Sequence, residues 1–237
     1  RHVLQSVVGH LLISLSYYPH YVNQLPGLER IREDSQDLAA AFRDAGFSLY
    51  AVGGCVRDAF MSDASSLDVD YTTNARPDDI LRLLRPLCTA TWDMGRAFGT
   101  IGGQLAATNR KVEITTFRSE AYSDSSRKPE VIFGDDLMVD LRRRDFTINA
   151  MAFDVIEPQL IAPEGALSDL NARILRTPTD PRVLFTDDPL RMLRAARFAS
   201  RFDLQIDERL EAAAVEVAHE LAKVSSERIR GELDLLL

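Results

Sequence analysis

The chain has 237 residues, of which 46% are hydrophobic and 27% charged. This length and composition are typical of a globular protein with one large core or two small ones. The net charge of −8 excludes a protein that coats nucleic acid by bulk charge, so any RNA contact must come from local basic patches.

The N-terminal segment from Val3 to Tyr18 is apolar but is interrupted by polar residues. It is too short and too polar to span a bilayer, and it lacks the small-residue cleavage site of a signal peptide. We therefore expect a cytoplasmic protein with no membrane partner, in which residues 1–26 form an N-terminal extension. The sequence begins without Met and ends on three leucines in mid-pattern, which predicts that a C-terminal region is missing. No protein partner can be inferred.

The first predicted elements are a packing helix and a strand. Apolar residues recur at helical spacing from Leu28 to Phe42, and Gly46 follows as a C-cap, which predicts one helix. Residues 47–52 are apolar and predict the first strand.

The strand runs into the turn Gly53-Gly54, behind which a short helix opens. Glycine lets backbone N–H groups approach an anion, and a helix N-terminus favours negative charge. The next strand carries Asp68 and Asp70, which share a face because they are two residues apart. Paired carboxylates suit Mg²⁺, which usually shares its ligand shell with substrate phosphates. The pattern therefore indicates metal and phosphate chemistry, with an ordinary acidic strand end as the alternative.

A hairpin further along provides a candidate third carboxylate. Residues 99–105 and 111–117 form two strand-like segments around a turn. Glu113 becomes a catalytic candidate if its strand lies beside the strand of the aspartate pair. Otherwise it is a solvent-facing residue on a half-buried strand.

A polar segment and a basic segment follow the hairpin. Residues 119–130 have no apolar period, which predicts a flexible loop. Residues 137–144 predict a helix that ends in three arginines, usually a solvated helix end. Here the arginines lead into Asp145 and Asn149, and this mixture is suited to holding triphosphate and ribose. A further strand is predicted over residues 151–156.

A domain boundary is predicted near residues 155–165. No strand is expected after Ile161, and from Leu167 the chain has the pattern of helices only. The predicted fold class is therefore α/β (α+β), with strands and helices in residues 27–157 and an all-helical part in residues 158–237.

One helix, predicted from about Asp187 to Phe202, carries a row of arginines. Four of them lie within about 120° of one another around the helix axis; they are Arg191, Arg194, Arg197 and Arg201. Asp188 lies one turn before Arg191, so the two side chains are predicted to be neighbours. Without a site facing the helix, they form an ordinary ion pair on a solvated surface.

The alternative is that Asp188 and Arg191 read a base. A carboxylate only accepts hydrogen bonds and a guanidinium only donates them. Adenine and cytosine each present an amine donor beside a ring-nitrogen acceptor, whereas guanine and uracil present the reverse. The pair thus fits ATP and CTP and leaves unpaired groups against the other two bases.

Two helices end the chain. Asp207 is predicted to cap the first, which buries Leu210. Ser225 is predicted to cap the second, with Ile229 and Leu233 facing inward.

Four motifs occur together in the order Gly53-Gly54-Cys55-Val56-Arg57-Asp58, Asp68-Val69-Asp70, Arg143-Arg144-Asp145-Phe146-Thr147-Ile148-Asn149-Ala150 and Asp187-Asp188-Pro189-Leu190-Arg191. This ordered set resembles class II tRNA nucleotidyltransferases (CCA-adding enzymes) and their bacterial poly(A) polymerase relatives. The resemblance covers roughly residues 27–237, and the set is far more specific than any one motif.

The resemblance implies a nucleotidyltransferase head with a small mixed β-sheet, a helical neck, and body and tail regions that hold tRNA. It implies that Asp68 and Asp70 bind two Mg²⁺ ions, while Glu113 stays a further catalytic candidate. The candidate nucleotide-binding residues are Gly53, Gly54, Arg57, Arg144, Asp145, Asn149, Asp188, Arg191, Arg194 and Arg197.

The implied reaction is CCA addition, in which the 3′-hydroxyl of tRNA attacks the α-phosphate of CTP or ATP and pyrophosphate leaves. The implied partners are the tRNA 3′ end and nucleoside triphosphates. The four histidines lie outside every motif, which agrees with a reaction that needs no histidine base. Two alternatives stay open: a poly(A) polymerase that uses only ATP, and a non-catalytic RNA-binding fragment.

Overall fold

The computed structural model of the chain describes residues 16–18, 25–61, 68–123 and 126–236. In chain order the strands in these ranges are β1 (Ser16–Tyr18), β2 (Leu49–Val52), β3 (Val69–Thr73), β4 (Cys88–Trp92), β5 (Thr100–Leu105), β6 (Lys111–Thr116), β7 (Arg118–Ser123), β8 (Ser126–Phe133), β9 (Ala152–Asp154), β10 (Gln159–Ala162), β11 (Ile174–Leu175) and β12 (Gln205–Ile206). The α-helices are α1 (Pro26–Asp34), α2 (Gln36–Asp44), α3 (Gly54–Phe60), α4 (Pro77–Leu84), α5 (Leu137–Arg142), α6 (Ala166–Ala172), α7 (Pro181–Asp187), α8 (Leu190–Phe202), α9 (Glu208–Val217) and α10 (Ser226–Leu236).

A mixed sheet of eight strands forms the first part of the described chain, in the order β1-β10-β9-β2-β3-β6-β5-β4. Strands β3 and β6 are parallel, and the other pairs in this sheet are antiparallel. The predicted mixed sheet is therefore confirmed. Strand β1 lies in the predicted N-terminal extension and pairs with β10, so this short piece joins the edge of the sheet.

The single helix predicted ahead of β2 is two helices, α1 and α2. Leu28 and Phe42 are fully buried, so the predicted apolar face is right. The break falls at Ser35, whose hydroxyl donates to the carbonyl of Ile31 at 2.5 Å and shares a 2.7 Å hydrogen bond with Tyr71. A serine that bonds to the preceding turn and to a buried partner competes with a continuous helix.

The predicted flexible loop over residues 119–130 is wrong for the residues that the structure describes. Strands β7 and β8 pair antiparallel and form a separate two-stranded ribbon, while residues 124–125 of the predicted loop lie outside the described residues. The ribbon does not join the main sheet, so its strands need not show the apolar alternation that burial on a sheet face imposes. This explains why composition suggested a loop.

The second part of the described chain is mostly helical but includes a short strand pair. Strands β11 and β12 are parallel, with Ile174 opposite Gln205, so the expectation of helices alone after Leu167 is wrong. Two-residue strands are too short to give a periodic signal. The helix predicted from Asp187 to Phe202 is also divided, because α7 ends before Pro189 and α8 begins after it. The residue before a proline is disfavoured in helical conformation.

Both predicted caps in the last two helices are present. Asp207 accepts from the backbone N–H of Arg209 at 3.1 Å, and the Ser225 hydroxyl accepts from that of Arg228 at 3.4 Å. The predicted inward face of α10 is partly wrong. Leu233 is 39% exposed, whereas Glu232 is buried. None of the helices in the described ranges is long and apolar enough to cross a membrane.

Candidate active site

A cleft of about 720 Å³ opens between the main sheet and the arginine face of α8. Nine arginines and four aspartates line it, together with glycines, aromatic rings and other side chains. The predicted residues that it brings together are Gly53, Gly54, Arg57, Asp70, Arg144, Asp145, Asn149, Asp188, Arg191, Arg194 and Arg197. Asp68 and Glu113 are not in its lining. The four separated motifs therefore meet at one place.

The Gly-Gly turn has the backbone that only glycine adopts easily. Gly53 has φ +77° and ψ −133°, and α3 begins at the next residue. A Cβ at Gly53 would lie 3.6 Å from Nη1 of Arg144, and one at Gly54 would lie 3.4 Å from Nη2 of Arg57. The bare backbone thus lies beside two guanidinium groups, and this arrangement suits a phosphate group.

Carboxylates cluster where β3 passes the turn. Asp70 pairs in register with Glu113 on the parallel strand β6, so the strand of Glu113 does lie beside that of the aspartate pair. Burial raises the pKa of the Asp70 carboxyl, and Glu113 and Asp68 raise it further, against the opposing charge of Arg144. Asp70 and Glu113 lie opposite each other on neighbouring strands, so their carboxylates are close enough to interact.

The carboxylate cluster fits a divalent cation, since a positive ion would offset the repulsion that raises the pKa of Asp70. Oxygen ligands on adjacent strands are also the type that Mg²⁺ prefers. Within the part of the chain that the structure describes, no three His, Cys, Asp or Glu side chains are already arranged around one metal position. The role of Glu113 as a ligand therefore stays a prediction.

Asp140 on α5 is a buried anchor that sequence reasoning missed. Its Oδ1 accepts from Arg143 at 2.8 and 2.9 Å, and its Oδ2 accepts from Arg144 at 3.1 Å and from Thr72 at 3.2 Å. Burial acts to raise the pKa of Asp140, but the two arginines outweigh it and the pKa is lowered. The spacing of Asp140 from the arginines, three and four residues along a helix, was the available signal.

A chain of hydrogen bonds joins α3, the helix behind the Gly-Gly turn, to α8. Arg57 Nη1 donates to Asn149 Oδ1 at 2.6 Å, and Asn149 Nδ2 donates to Asp145 Oδ1 at 3.0 Å. Asp145 Oδ2 then accepts from Nε and Nη2 of Arg194 at 3.0 and 2.6 Å. Burial acts to raise the pKa of Asp145, but Arg194 and Asn149 outweigh it and the pKa is lowered. Asp145 is therefore a fixed anion between two segments distant in sequence.

Arg57 is held from several sides and is only 5% exposed. It forms a 2.6 Å ion pair with Asp58, and its guanidinium lies 4.2 Å from the ring centre of Phe202 and 5.3 Å from that of Phe198. Cations over aromatic faces are stabilised by the ring quadrupole. Phe198 also lines the cleft, and no pattern in the sequence singles out either phenylalanine.

Asp188 and Arg191 line the same cleft but do not form the predicted pair along one helix. Asp188 lies outside α8, where its oxygens accept from Arg228 at 3.2 and 3.0 Å. Arg191 donates to the carbonyl of Arg143 at 3.1 Å and to that of Leu184 at 3.5 Å. The division at Pro189 separates the two residues, so the simple helical spacing does not apply.

Helix α10 supplies residues that sequence reasoning missed, in addition to Arg228. Glu232 accepts from Arg197 Nε at 2.7 Å and from Arg194 Nη1 at 3.3 Å. Arg228 and Glu232 are four residues apart and therefore share one face of α10. That spacing predicts a shared face but not the helix it contacts.

Two family profiles match the chain. The Poly A polymerase head domain matches residues 49–176, which contain the Gly-Gly turn, the aspartate pair and the arginines held by Asp140. The chain belongs to the Poly A polymerase head domain family. The profile of the "Probable RNA and SrmB- binding site of polymerase A" matches residues 203–237 of this family member. The family resemblance expected from the four motifs is confirmed.

Curated relatives of this head-domain protein include CCA-adding enzymes. That of Lactobacillus helveticus is 41% identical over 194 residues, which cover 80% of this chain and 46% of the relative. That of a Geobacillus species is 39% identical over 193 residues, which cover 81% and 46%. The chain thus spans about half the length of the curated relatives it matches.

Solved structures of the same kind are also similar. The Bacillus stearothermophilus CCA-adding enzyme in complex with CTP has a TM-score of 0.75 and 33% identity, covering 89% of this chain and 48% of that one. The Thermotoga maritima CCA-adding enzyme complexed with tRNA_CCA has a TM-score of 0.68 and 28% identity, covering 90% and 47%. The nucleotidyltransferase fold expected for this head-domain protein is confirmed.

Proposed function

We propose that this chain is the catalytic head and neck of an enzyme that adds CMP and AMP, from CTP and ATP, to the 3′ end of tRNA. The observation that carries the proposal is that one cleft is lined by Asp70 on β3, by nine arginines and by the Asp188 carboxylate. The similarity to CCA-adding enzymes, including structures with CTP and with tRNA, supports the same reaction. A cytoplasmic location stays a prediction.

The triphosphate is assigned to the region between the Gly-Gly turn and the guanidinium groups of Arg57 and Arg144. Gly53 and Gly54 leave the backbone open there, and Arg57 and Arg144 lie within reach of it. Because Asp140 and Asn149 already hold these guanidiniums, little reorganisation is needed when the nucleotide binds. We assign the ribose to the neighbouring pair Asp145 and Asn149.

The base is assigned to Asp188 and Arg191. A carboxylate acceptor and a guanidinium donor on one wall of the cleft match the pairing edges of adenine and cytosine. Guanine and uracil would place donor against donor, which is costly in a desolvated site. Ion pairing with Arg228 keeps Asp188 in place as an acceptor.

The reaction is an in-line displacement at the α-phosphate. The carboxylates of Asp68 and Asp70 fit two Mg²⁺ ions, which when bound activate the attacking hydroxyl and neutralise the leaving phosphates. The residues of the cleft bind the triphosphate, orient the ribose and reject the wrong bases. Most of the rate acceleration then comes from positioning and charge stabilisation, and no histidine base is required.

The test is nucleotide incorporation by the full-length protein with Mg²⁺ and tRNA that ends before CCA, with each triphosphate supplied separately. We expect incorporation of CTP, and of ATP once CTP has been added, with little GTP or UTP used. Incorporation of ATP alone would instead identify a poly(A) polymerase. If no nucleotide is incorporated under any condition, the chain is an RNA-binding fragment without catalysis and the proposal fails.

A further inference from the structure

Helix α10 has an unusual buried residue. Among its described residues Glu232 is the one that is buried, at 8% exposure, while Leu233 and Leu235 are 39% and 64% exposed. Burying a carboxylate is costly unless it is paired with a cation and hydrogen-bonded. A helix that buries an acid and exposes leucines therefore indicates that the acid has a specific task.

Glu232 has two cationic partners, and both line the cleft. Arg197 Nε donates to Glu232 Oε2 at 2.7 Å, and Arg194 Nη1 donates to Oε1 at 3.3 Å. Arg197 is itself buried, at 8% exposure. Glu232 thus compensates a buried charge on the wall where the nucleotide is assigned.

Through Arg194 the contact extends across the cleft. The same guanidinium donates to Asp145 through Nε and Nη2, and Asp145 continues through Asn149 to Arg57. A carboxylate on each side fixes the orientation of Arg194, since its planar fork has no freedom left to rotate. Helix α10 is therefore connected by hydrogen bonds to the assigned ribose and phosphate groups.

We propose that Glu232 is a positioning residue for nucleotide transfer, which holds Arg194 against Asp145 and keeps Arg197 turned away from the triphosphate. This rests on the proposed function of the cleft. Without the carboxylate, Arg197 loses the ion pair that holds it and is a buried cation free to turn toward the charge of a bound nucleotide. The nucleotide then binds as tightly as before but away from the geometry that reacts.

The first test is Glu232→Gln in the full-length protein, which removes the charge and keeps the shape. We expect kcat to fall by about tenfold or more, because misplaced reactants lose rate steeply. The KM of the nucleotide should not rise, and the loss should be equal for CTP and ATP, because the contact ends at the ribose and phosphate side. Glu232→Asp should recover part of the kcat.

The matched control is Asp234→Asn, the same change of charge on the same helix. Asp234 is 67% exposed and pairs only with the exposed Arg230, at 3.6 Å, among the ion pairs of the described residues. The Asp234→Asn variant should have the same kcat and KM as the wild type. A rise in KM with unchanged kcat in Glu232→Gln, an unequal loss for CTP and ATP, or no effect would each overturn the proposal.

Two further measurements keep the outcome decisive. If Glu232→Gln fails to fold, the double variant Glu232→Gln/Arg197→Met removes both charges, and a kcat at the wild-type level there would overturn the proposal. If the wild type incorporates no nucleotide, the proposed function fails separately. In that case the position of the Arg194 Nε–H resonance in ¹⁵N NMR tests the positioning role without catalysis. The resonance should shift in Glu232→Gln and stay in place in Asp234→Asn. An Arg194 resonance at the wild-type position in Glu232→Gln would contradict a positioning role.

Discussion

Most arginines in the cleft have a carboxylate partner before any nucleotide binds. The pairs are Arg57 with Asp58, Arg143 and Arg144 with Asp140, Arg194 with Asp145 and Glu232, Arg197 with Glu232, and Arg228 with Asp188. Guanidinium groups held in this way are preorganised for a phosphate or a base, and this lowers the reorganisation that binding requires. These carboxylates orient the cations, and two of them, Asp145 and Asp188, also line the cleft.

Asp140 gives a prediction about stability and pH. Its pKa is lowered in the folded chain by Arg143 and Arg144, so its contribution to stability is present above the unfolded pKa and is lost as pH falls through the folded value. At pH 7 Asp140→Asn should lower the free energy of unfolding by about 3–5 kcal/mol, because two cations lose a buried partner. Below about pH 4 the difference between wild type and variant should shrink, as denaturant unfolding at several pH values will show.

The control for Asp140 is Asp136→Asn at the start of the same helix. Asp136 accepts from the backbone N–H of Met138 at 2.7 Å, and asparagine caps a helix about as well as aspartate. This variant should unfold like the wild type at pH 7. A difference between wild type and Asp140→Asn that grows on acidification would contradict the assigned direction of the pKa shift.

Asp188 gives a prediction about base choice. Asp188→Ala removes the acceptor that we assign to adenine and cytosine, so the preference for CTP and ATP over GTP and UTP should fall by about tenfold or more. The KM for CTP should change by a smaller factor than this preference, because the assigned triphosphate contacts lie elsewhere in the cleft. Single-nucleotide incorporation rates measure both effects. An equal loss for all four nucleotides would show that Asp188 does not read the base.

At the residue scale, the sequence predicts contacts that depend on local spacing. Asp70 lies on β3 with Asp68 directly before that strand, and the Gly53 turn needs a positive φ, so local spacing in a single sequence reveals both features. Arg228 and Glu232 were missed because their partners lie far along the chain, and pairing of that kind depends on how helices pack. Spacing within one helix carries no information about the neighbouring helix.

At the element scale, the predicted apolar faces were more reliable than the predicted element boundaries. The buried residues of α1 and α2 were found, but the break at Ser35 depends on a hydrogen bond to Tyr71 on a distant strand. Pro189 itself was a local signal for the division between α7 and α8. The regular spacing of the arginines nevertheless suggested one continuous helix. The β7–β8 ribbon could not be predicted, because it has no apolar pattern and gains its order from pairing between its own strands.

Asp207 gives a prediction about α9. It caps that helix and also pairs with Arg176 at 3.1 Å. Asp207→Ala should lower the free energy of unfolding by about 1–2 kcal/mol, through the loss of the cap. Asp207→Asn should cost less, because it keeps the cap and loses only a partly exposed ion pair. Thermal unfolding of the two variants and the wild type measures both effects. If Asp207→Ala and Asp207→Asn lower the free energy of unfolding equally, the ion pair, and not the cap, stabilises the helix.

At the scale of the whole molecule, charge is distributed unevenly. The chain has a net charge of −8, yet nine arginines line the one cleft where the four motifs meet. A local excess of cations attracts a polyanionic nucleotide, while the acidic remainder of the surface disfavours unspecific binding of nucleic acid. The chain spans about half the length of the curated relatives it matches.

The proposed catalytic centre is the pair formed by Asp70 on β3, which lines the cleft, and Asp68, which directly precedes that strand. The most direct measurement is Mg²⁺-dependent incorporation of CTP onto tRNA lacking CCA by Asp68→Ala and Asp70→Ala, with the exposed Asp44→Ala as control. We predict that both variants lose at least about a thousandfold in rate while the control is unchanged. Incorporation at the wild-type rate by either variant would contradict the account.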